Sequence, residues 1–529
     1  MGVLITIILI TSLCMSLLFL IPSIINAPHF DQSIKITQNS DFASYSSQGN
    51  GTRFNPYVIE NKIIDNNNLQ SYGSGIDISN TDAYFIIKNC QVKNAYQGIY
   101  LRNVRNGMLS NNEIFYSSDG IEILYSENVS VINNTLKNNR YIGLYLYDSI
   151  NITVYNNTAI HNSNGMEIRN SENCTIINNT LSYNDDGLLL SYSKNIQISN
   201  NSLIQDGIGL LGSIISYLDH NITSDNLVNG RPIYYLKHQS GIVVPENVGQ
   251  VILLNCSSIN VLNMNCSNSM DGISLFFCND SMIKSTILEH NSRYGINLAF
   301  SRNITIDNNT VNNFSLGIYL YISHNNSLTN NNLSVGSSQG IYLYYSFNNT
   351  LENNSVSLCD YYLGSIHLYS SVNNLVFNNT ANQNRQGIYI EYSELNTFCN
   401  NTCNQNQYYG IYLRRSDKNQ ILFNNINENI YGVYLTYSDD NNISWNSLYQ
   451  NLLHVFERNS IGNEIKNNTY QNRNPEPYYY PWHLEIWIYM VIIALVVVIS
   501  ILSHLIIHIR KISKKEFNKT AKNELKRGT

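Results

Sequence analysis

From about Ile59 to Tyr470 the chain is written in short apolar–polar alternations that return on a fixed period. The phrase Gly-apolar-x-apolar stands at Gly75, Gly98, Gly120, Gly143, Gly165 and Gly187, with gaps of 23, 22, 23, 22 and 22 residues. It resumes at Gly272, Gly295, Gly317, Gly340, Gly364, Gly387, Gly410 and Gly432, with gaps of 23, 22, 23, 24, 23, 23 and 22. At Gly364 the strand begins one residue late, at Ile366. Between the two series the register threads more loosely through Gly207, Gly230 and Gln250. Alternation marks short strands, and a constant period marks a repeat architecture. Helical hairpin repeats and propeller blades are longer than about 30 residues, and leucine-rich repeats need a consensus this chain lacks. The pattern predicts an all-β, right-handed parallel β-helix. It would have some 18 coils stacked at about 4.8 Å, roughly 85 Å in all.

Other columns keep phase with the glycines. Six residues after the glycine stand Ser126, Ser149, Ser171, Ser193, Ser301, Ser323, Ser346, Ser393, Ser416 and Ser438, with Cys278 as an exception. Asn pairs follow, among them Asn133-Asn134, Asn178-Asn179, Asn353-Asn354 and Asn378-Asn379. Positions such as Ile121 and Ile123 should point inward. Glycine would permit a tight bend without a Cβ penalty. Stacked Asn amides would bond from coil to coil, and Asn tolerates left-handed turns.

The ends differ from the middle. Residues 3–25 are almost wholly apolar, so 1–27 reads as a signal peptide or an N-terminal hydrophobic anchor. Residues 28–55 read as a cap, 56–470 as the β-helix with an irregular segment at about 208–250, and 471–485 as a linker. Residues 486–509 are long enough for a transmembrane helix. Trp482, Trp487 and Tyr489 mark its outer boundary, and the basic tail 510–529 its cytoplasmic side. The expectation is a protein of the cell membrane, with one C-terminal span and a large extracellular domain.

Composition narrows the partners. Only 13 % of the 529 residues are charged, and the net charge is −6. No basic patch dominates, which argues against nucleic acid. The chain holds 87 Asn and 40 Tyr. Most of the Asn is accounted for by the turns. Many of the Asn-x-Ser/Thr sequons, such as Asn151, Asn221, Asn303 and Asn442, come with those turns and are candidate glycosylation sites.

Two segments are more particular than the repeat. They are Asn50-Gly51-Thr52 with Asn55-Pro56-Tyr57-Val58-Ile59-Glu60-Asn61, and Asn229-Gly230-Arg231-Pro232-Ile233-Tyr234-Tyr235-Leu236 running on to Gly249-Gln250-Val251-Ile252-Leu253. They resemble the first coil and the irregular mid-helix segment of the NosD-like parallel-β-helix-repeat proteins, a branch of the pectin-lyase-like fold. That resemblance implies an exported surface protein of archaeal or bacterial type. It also implies a copper-related role, or one in carbohydrate binding and sugar hydrolysis.

The residues themselves bear unevenly on those roles. Soft metal sites want clustered Cys, Met or His. Here Cys399 with Cys403, and Met264 with Cys266, are short isolated spacings. The thiols read as small core residues, Cys256 and Cys278 falling in the serine column. No metal ligand and no cofactor is assigned. Glycoside hydrolysis needs two placed carboxylates. Asp185 and Asp186 are the catalytic candidates. Asn80-Thr81-Asp82 superficially matches a polygalacturonase motif but lies about five coils away, some 20 Å. The Gly-His-Gly and Arg-Ile-Lys elements of that family and the Asp-Pro-His of mannuronan epimerases are absent.

The remaining signal is aromatic. Two residues after the glycine come Tyr100, Tyr145, Tyr319, Tyr342, His367, Tyr389, Tyr412 and Tyr434, with Glu122 and Glu167 between the first tyrosines. Two further on come Tyr147, Tyr321, Tyr344 and Tyr369, and Arg102, Arg169 and Arg414. These positions should face outward as a stripe able to stack sugar rings and bond their hydroxyls. The leading expectation is a non-enzymatic, membrane-anchored β-helix that binds glycan or another cell-envelope component. A carbohydrate-active enzyme and a structural adhesin are the alternatives.

Overall fold

In the computed structural model the described residues are 30–66, 73–360 and 363–471. They form an all-β parallel solenoid of about 18 turns. The leader 1–27, the span 486–509 and the basic tail lie outside the described residues. Among those described, no helix is long and apolar enough to cross a membrane.

One coil illustrates the rest. Strands Asp119–Leu124, Ser130–Ile132 and Thr135–Lys137 lie on three successive sheets. Each pairs in parallel with its counterpart one coil on, Ile121 opposite Leu144, Val131 opposite Val154 and Leu136 opposite Ala159. The inward column Ile99, Ile121, Leu144, Met166, Leu188 is fully buried. The first coil is closed by a 3-10 turn, Asn39–Ser44, whose Phe42 stacks on Tyr57 at 4.7 Å.

The Asn-Asn pairs divide their labour. The first member takes the left-handed turn, with φ of 57°, 56°, 59° and 52° at Asn133, Asn156, Asn178 and Asn200. The second is buried and forms a ladder. The Nδ2 of Asn134, Asn157, Asn179 and Asn201 each donates to the Oδ1 of the next coil's Asn at 2.8–3.0 Å. A second ladder runs from Asn309 to Asn468. The serine column does the same with backbone donors, Ser323 N–H reaching Ser346 Oγ at 3.0 Å. Left-handed turns are also occupied by Tyr125, Tyr192, Phe277, Phe300, Tyr345 and Tyr392, a costlier choice.

The repeating glycines serve a different purpose from the one expected. Apart from Gly364 and the loosely threaded Gly230, none has a positive φ. They are required by close approach between coils: a Cβ at Gly387 would sit 2.4 Å from the carbonyl oxygen of Gly410.

Near the middle the solenoid is stepped. One hydrophobic core runs from Ile34 to Ile233, and a second from Val244 to Leu448. The strand Ile208–Leu211 is the last of its sheet, and the side-chain amide of Gln250 takes the place of its next neighbour. Gln250 accepts from Ile208 N–H at 2.9 Å and donates to Ile208 O at 2.7 Å. In the second half, strands Gln250–Leu254, Asp271–Phe276 and Tyr294–Ala299 lie side by side. Their inward residues Val251, Leu253, Ile273 and Leu275 join the second core. Their outward residues Ile252, Leu254, Phe276 and Ala299 join the first. The end of the first half therefore packs on the outward face of the second.

Candidate functional site

The outward column of the second half is a stack of rings. Tyr319, Tyr342, His367, Tyr389, Tyr412, Tyr434 and Phe456 follow one another at centroid spacings of 4.6–5.4 Å, and the ring of Tyr294, three residues ahead of the column, stacks on Tyr319 at 5.3 Å. The parallel register sets this spacing, since Tyr319 lies opposite Tyr342, Tyr342 opposite His367, and His367 opposite Tyr389. Tyr321, Tyr344 and Tyr369 form a second stack beside it, at 5.7 and 5.1 Å. In the first half the column is mixed, with Glu122 between Tyr100 and Tyr145, and Glu167 after Tyr145. Burial raises the carboxyl pKa of Glu122 and Glu167 and pushes the Tyr145 phenol up to about 12.

Two features of the expected stripe need correction. First, the rings face one another, so their flat faces are already covered and their edges and hydroxyls are what they present. Secondly, the stripe is not continuous. His367 and Tyr389 point outward from the coil yet are only 1 % and 2 % exposed. The backbone at Gly364 crosses the face there, so close that a Cβ on it would lie 2.7 Å from Tyr389 Cβ. His367 Nδ1 pairs with the Gln339 amide at 3.3 Å, and Glu391 is bound by Arg414 at 2.8 Å. Burial lowers the His367 imidazole pKa to about 3, leaving it neutral. Tyr100, Tyr145, Tyr319, Tyr342, Tyr412 and Tyr434 remain partly exposed.

The step in the solenoid creates a cavity on this same face. It measures about 180 Å³. Tyr192 and Leu210–Ser213 from the first half form one wall, and Phe276, Tyr294, Asn297, Ala299, Tyr319 and Tyr321 form the rest. Asn297 stands in the outward column, between Ser274 and Tyr319. The residue is 4 % exposed and lines the cavity wall. Behind Tyr294 the Arg293 guanidinium grips Asp271 through two bonds of 2.8 and 2.6 Å and lies 4.9 Å from the Tyr294 ring. Arg293 fills the space left open by Gly209, where a Cβ would come within 2.6 Å of its Nη2. Tyr192, Asn297, Asp271 and Arg293 escaped the sequence reading. The one available signal was the break in the tyrosine column at Ser274 and Asn297.

Asp185 and Asp186 have different surroundings. Asp185 is exposed, whereas Asp186 is half-buried with its carboxyl pKa raised to about 6 by burial, a rise offset by nearby Arg293. Asp82 accepts from Asn39 at 2.9 Å and ties down the N-terminal turn.

The copper role implied by the resemblance finds no fitting ligand set. Among the described residues no three His, Cys, Asp or Glu side chains converge. The eight described cysteines are free, and all but Cys399 are buried. Burial pushes Cys90 and Cys174 up to about 11 and Cys266 and Cys359 up to about 12, against the thiolate a metal needs. Cys278 one coil on holds the Cys256 thiol below its ordinary range.

A family model for the right-handed β-helix region matches residues 32–203 and 74–249. That for periplasmic copper-binding protein (NosD) matches residues 211–364 and 362–479. No curated protein sequence matches. Among solved structures, the periplasmic alginate epimerase AlgG is similar at 11 % identity over 78 % of this chain and 85 % of that one, with a TM-score of 0.29. The Azotobacter vinelandii mannuronan C-5 epimerase AlgE4 A-module is similar at 17 % over 61 % and 89 %, with 0.30. The alginate lyase AlyF-OU02 is similar at 10 % over 70 % and 86 %, with 0.24. The match to the second half of the chain, together with the repeats that precede it, makes this protein a member of the NosD family of right-handed parallel β-helix proteins.

Proposed function

We propose that this protein is a membrane-anchored surface β-helix that binds carbohydrate in the bay where its two halves meet. The observation that carries the reading is Asn297. At the cavity wall its carboxamide presents a donor and an acceptor at one point, and a ligand that offers both in return can bond it. Sugar hydroxyls do both. The surrounding Tyr192, Tyr294, Tyr319 and Tyr321 supply apolar ring edges and phenol hydroxyls, the mixture that suits a sugar ring. The low charge of the chain fits a neutral or weakly charged glycan. A C-terminal anchor with an outward domain would hold the bay toward the cell's surroundings.

The test is a glycan array probed with the full-length chain in detergent. Binding that Asn297→Ala and Tyr319→Ala each reduce at least tenfold is the expected result. Binding untouched by both, or no binding to any glycan, refutes the reading. Proteolysis of intact cells checks the topology, with the solenoid digested from outside and the tail 510–529 protected.

A further inference from the structure

We infer that the bay recognises the end of a glycan chain and not its interior, an inference that rests on the carbohydrate reading above. The geometry is that of a closed berth. On one side the end of the first half stands over the face: Ile252, Leu254, Phe276 and Ala299, which would otherwise be outward positions, are at most 5 % exposed beneath it. Tyr192 and the Leu210–Ser213 backbone rise there as the wall of the cavity. On the other side the backbone at Gly364 lies against Tyr389, and His367 is covered. Between these limits only three coils offer accessible groups. They are the coil of Tyr294 and Asn297, the coil of Tyr319 and Tyr321, and the coil of Tyr342 and Tyr344. At about 4.8 Å per coil the outermost of them are roughly 10 Å apart. A polymer running along the solenoid axis has nowhere to continue beyond Tyr192. Its terminal sugar would enter the 180 Å³ cavity and meet the Asn297 amide, with the next units over Tyr319 and Tyr342, from where the rest of the chain leaves the face ahead of Gly364. An internal sugar, extended on both sides, would collide with the wall.

Chain ends can be counted, which makes the inference testable with the intact protein. The probes are starch, cellulose, chitin, xylan, mannan and polygalacturonate, each intact and after partial acid hydrolysis, with maltoheptaose and β-cyclodextrin as an open and a cyclic pair. Bound protein per gram of polysaccharide is measured at saturation. For the polymers that bind, capacity should rise in proportion to the number of ends, about tenfold for a tenfold increase. Where α-glucan binds, maltoheptaose should compete and β-cyclodextrin should not. Tyr192→Ala should weaken binding at least tenfold, while Tyr155→Ala, exposed on another sheet, should leave it unchanged. Capacity that does not change on hydrolysis overturns the chain-end inference and leaves the carbohydrate reading standing. Absence of binding to every one of these probes and to the glycan array overturns both.

Discussion

The two asparagines of one pair should fail in different ways when replaced. Asn379 is 1 % exposed, and its side chain takes part in five hydrogen bonds. Its Oδ1 accepts from the Asn354 backbone N–H and from Asn354 Nδ2, both at 2.9 Å. Its Nδ2 donates to Leu351 O at 2.8 Å, Phe377 O at 3.0 Å and Asn401 Oδ1 at 3.1 Å. In Asn379→Ala the Asn354 Nδ2 keeps Leu328 O, and the Asn401 Oδ1 keeps the residue 379 N–H. The Asn354 N–H is left buried and bare. An orphaned buried donor costs about 1–3 kcal/mol, and the lost amide bonds add about 0.5–1.5 kcal/mol each in net terms, so the substitution should cost about 3–5 kcal/mol. Asn378, exposed and at φ 55°, holds the turn and donates its Nδ2 at the surface to Asn353 Oδ1. Asn378→Ala should cost about 1 kcal/mol and Asn378→Gly a few tenths. Because a solenoid's stability is a sum over neighbouring coils, the loss should be local. Native-state hydrogen exchange reads it directly. Amides of the coils containing Asn354 and Asn379 should exchange about 100-fold or more faster in Asn379→Ala, at about 1.4 kcal/mol per tenfold. Those near Asn134 should not change. Protection within threefold of wild type, or an equal loss in Asn378→Ala, would refute the division of roles.

Further outcomes follow from single contacts. Gly387→Ala drives a Cβ to 2.4 Å from the Gly410 carbonyl oxygen, and thermal unfolding should show a loss of at least about 2 kcal/mol. Arg293→Met leaves the buried Asp271 carboxylate unpaired and should cost about 3–5 kcal/mol in urea unfolding; adding Asp271→Asn should recover most of it, and failure to recover would dismiss the ion pair as the cause. His367 has its pKa lowered from 6.5 to about 3, so the unfolded chain gains a proton first as pH falls. That stability is fully present above pH 6.5 and is lost as pH falls toward 3, by up to about 1.4 kcal/mol per pH unit. His220, lowered to about 4, acts in the same direction, while Asp186 and Asp206, raised to about 6 and 7, act oppositely. His367→Gln should therefore shift the pH slope between pH 6.5 and 4 toward greater stability at low pH, by up to about 1.4 kcal/mol per pH unit relative to wild type, and an unaltered slope would discount the buried imidazole.

The repeat alone determined the coil, its period and which side of each strand faces in. Those properties follow from local alternation and from columns that must match one coil to the next, so Ile121, Leu144 and Met166 could be aligned by counting. The buried Asn ladders were legible for the same reason. The purpose of the glycines was not, because close approach depends on the carbonyl of a residue about 22 positions away and leaves no mark in the local backbone. The tyrosine column was legible as a column, but its accessibility was not. Whether His367 and Tyr389 meet solvent is decided by the backbone at Gly364, and whether Phe276 and Ala299 do so is decided by the other half of the chain. The bay itself belongs wholly to tertiary structure. It arises where the period breaks at Ile208–Leu211, and it joins Tyr192 to Asn297 across a step that no periodicity could predict.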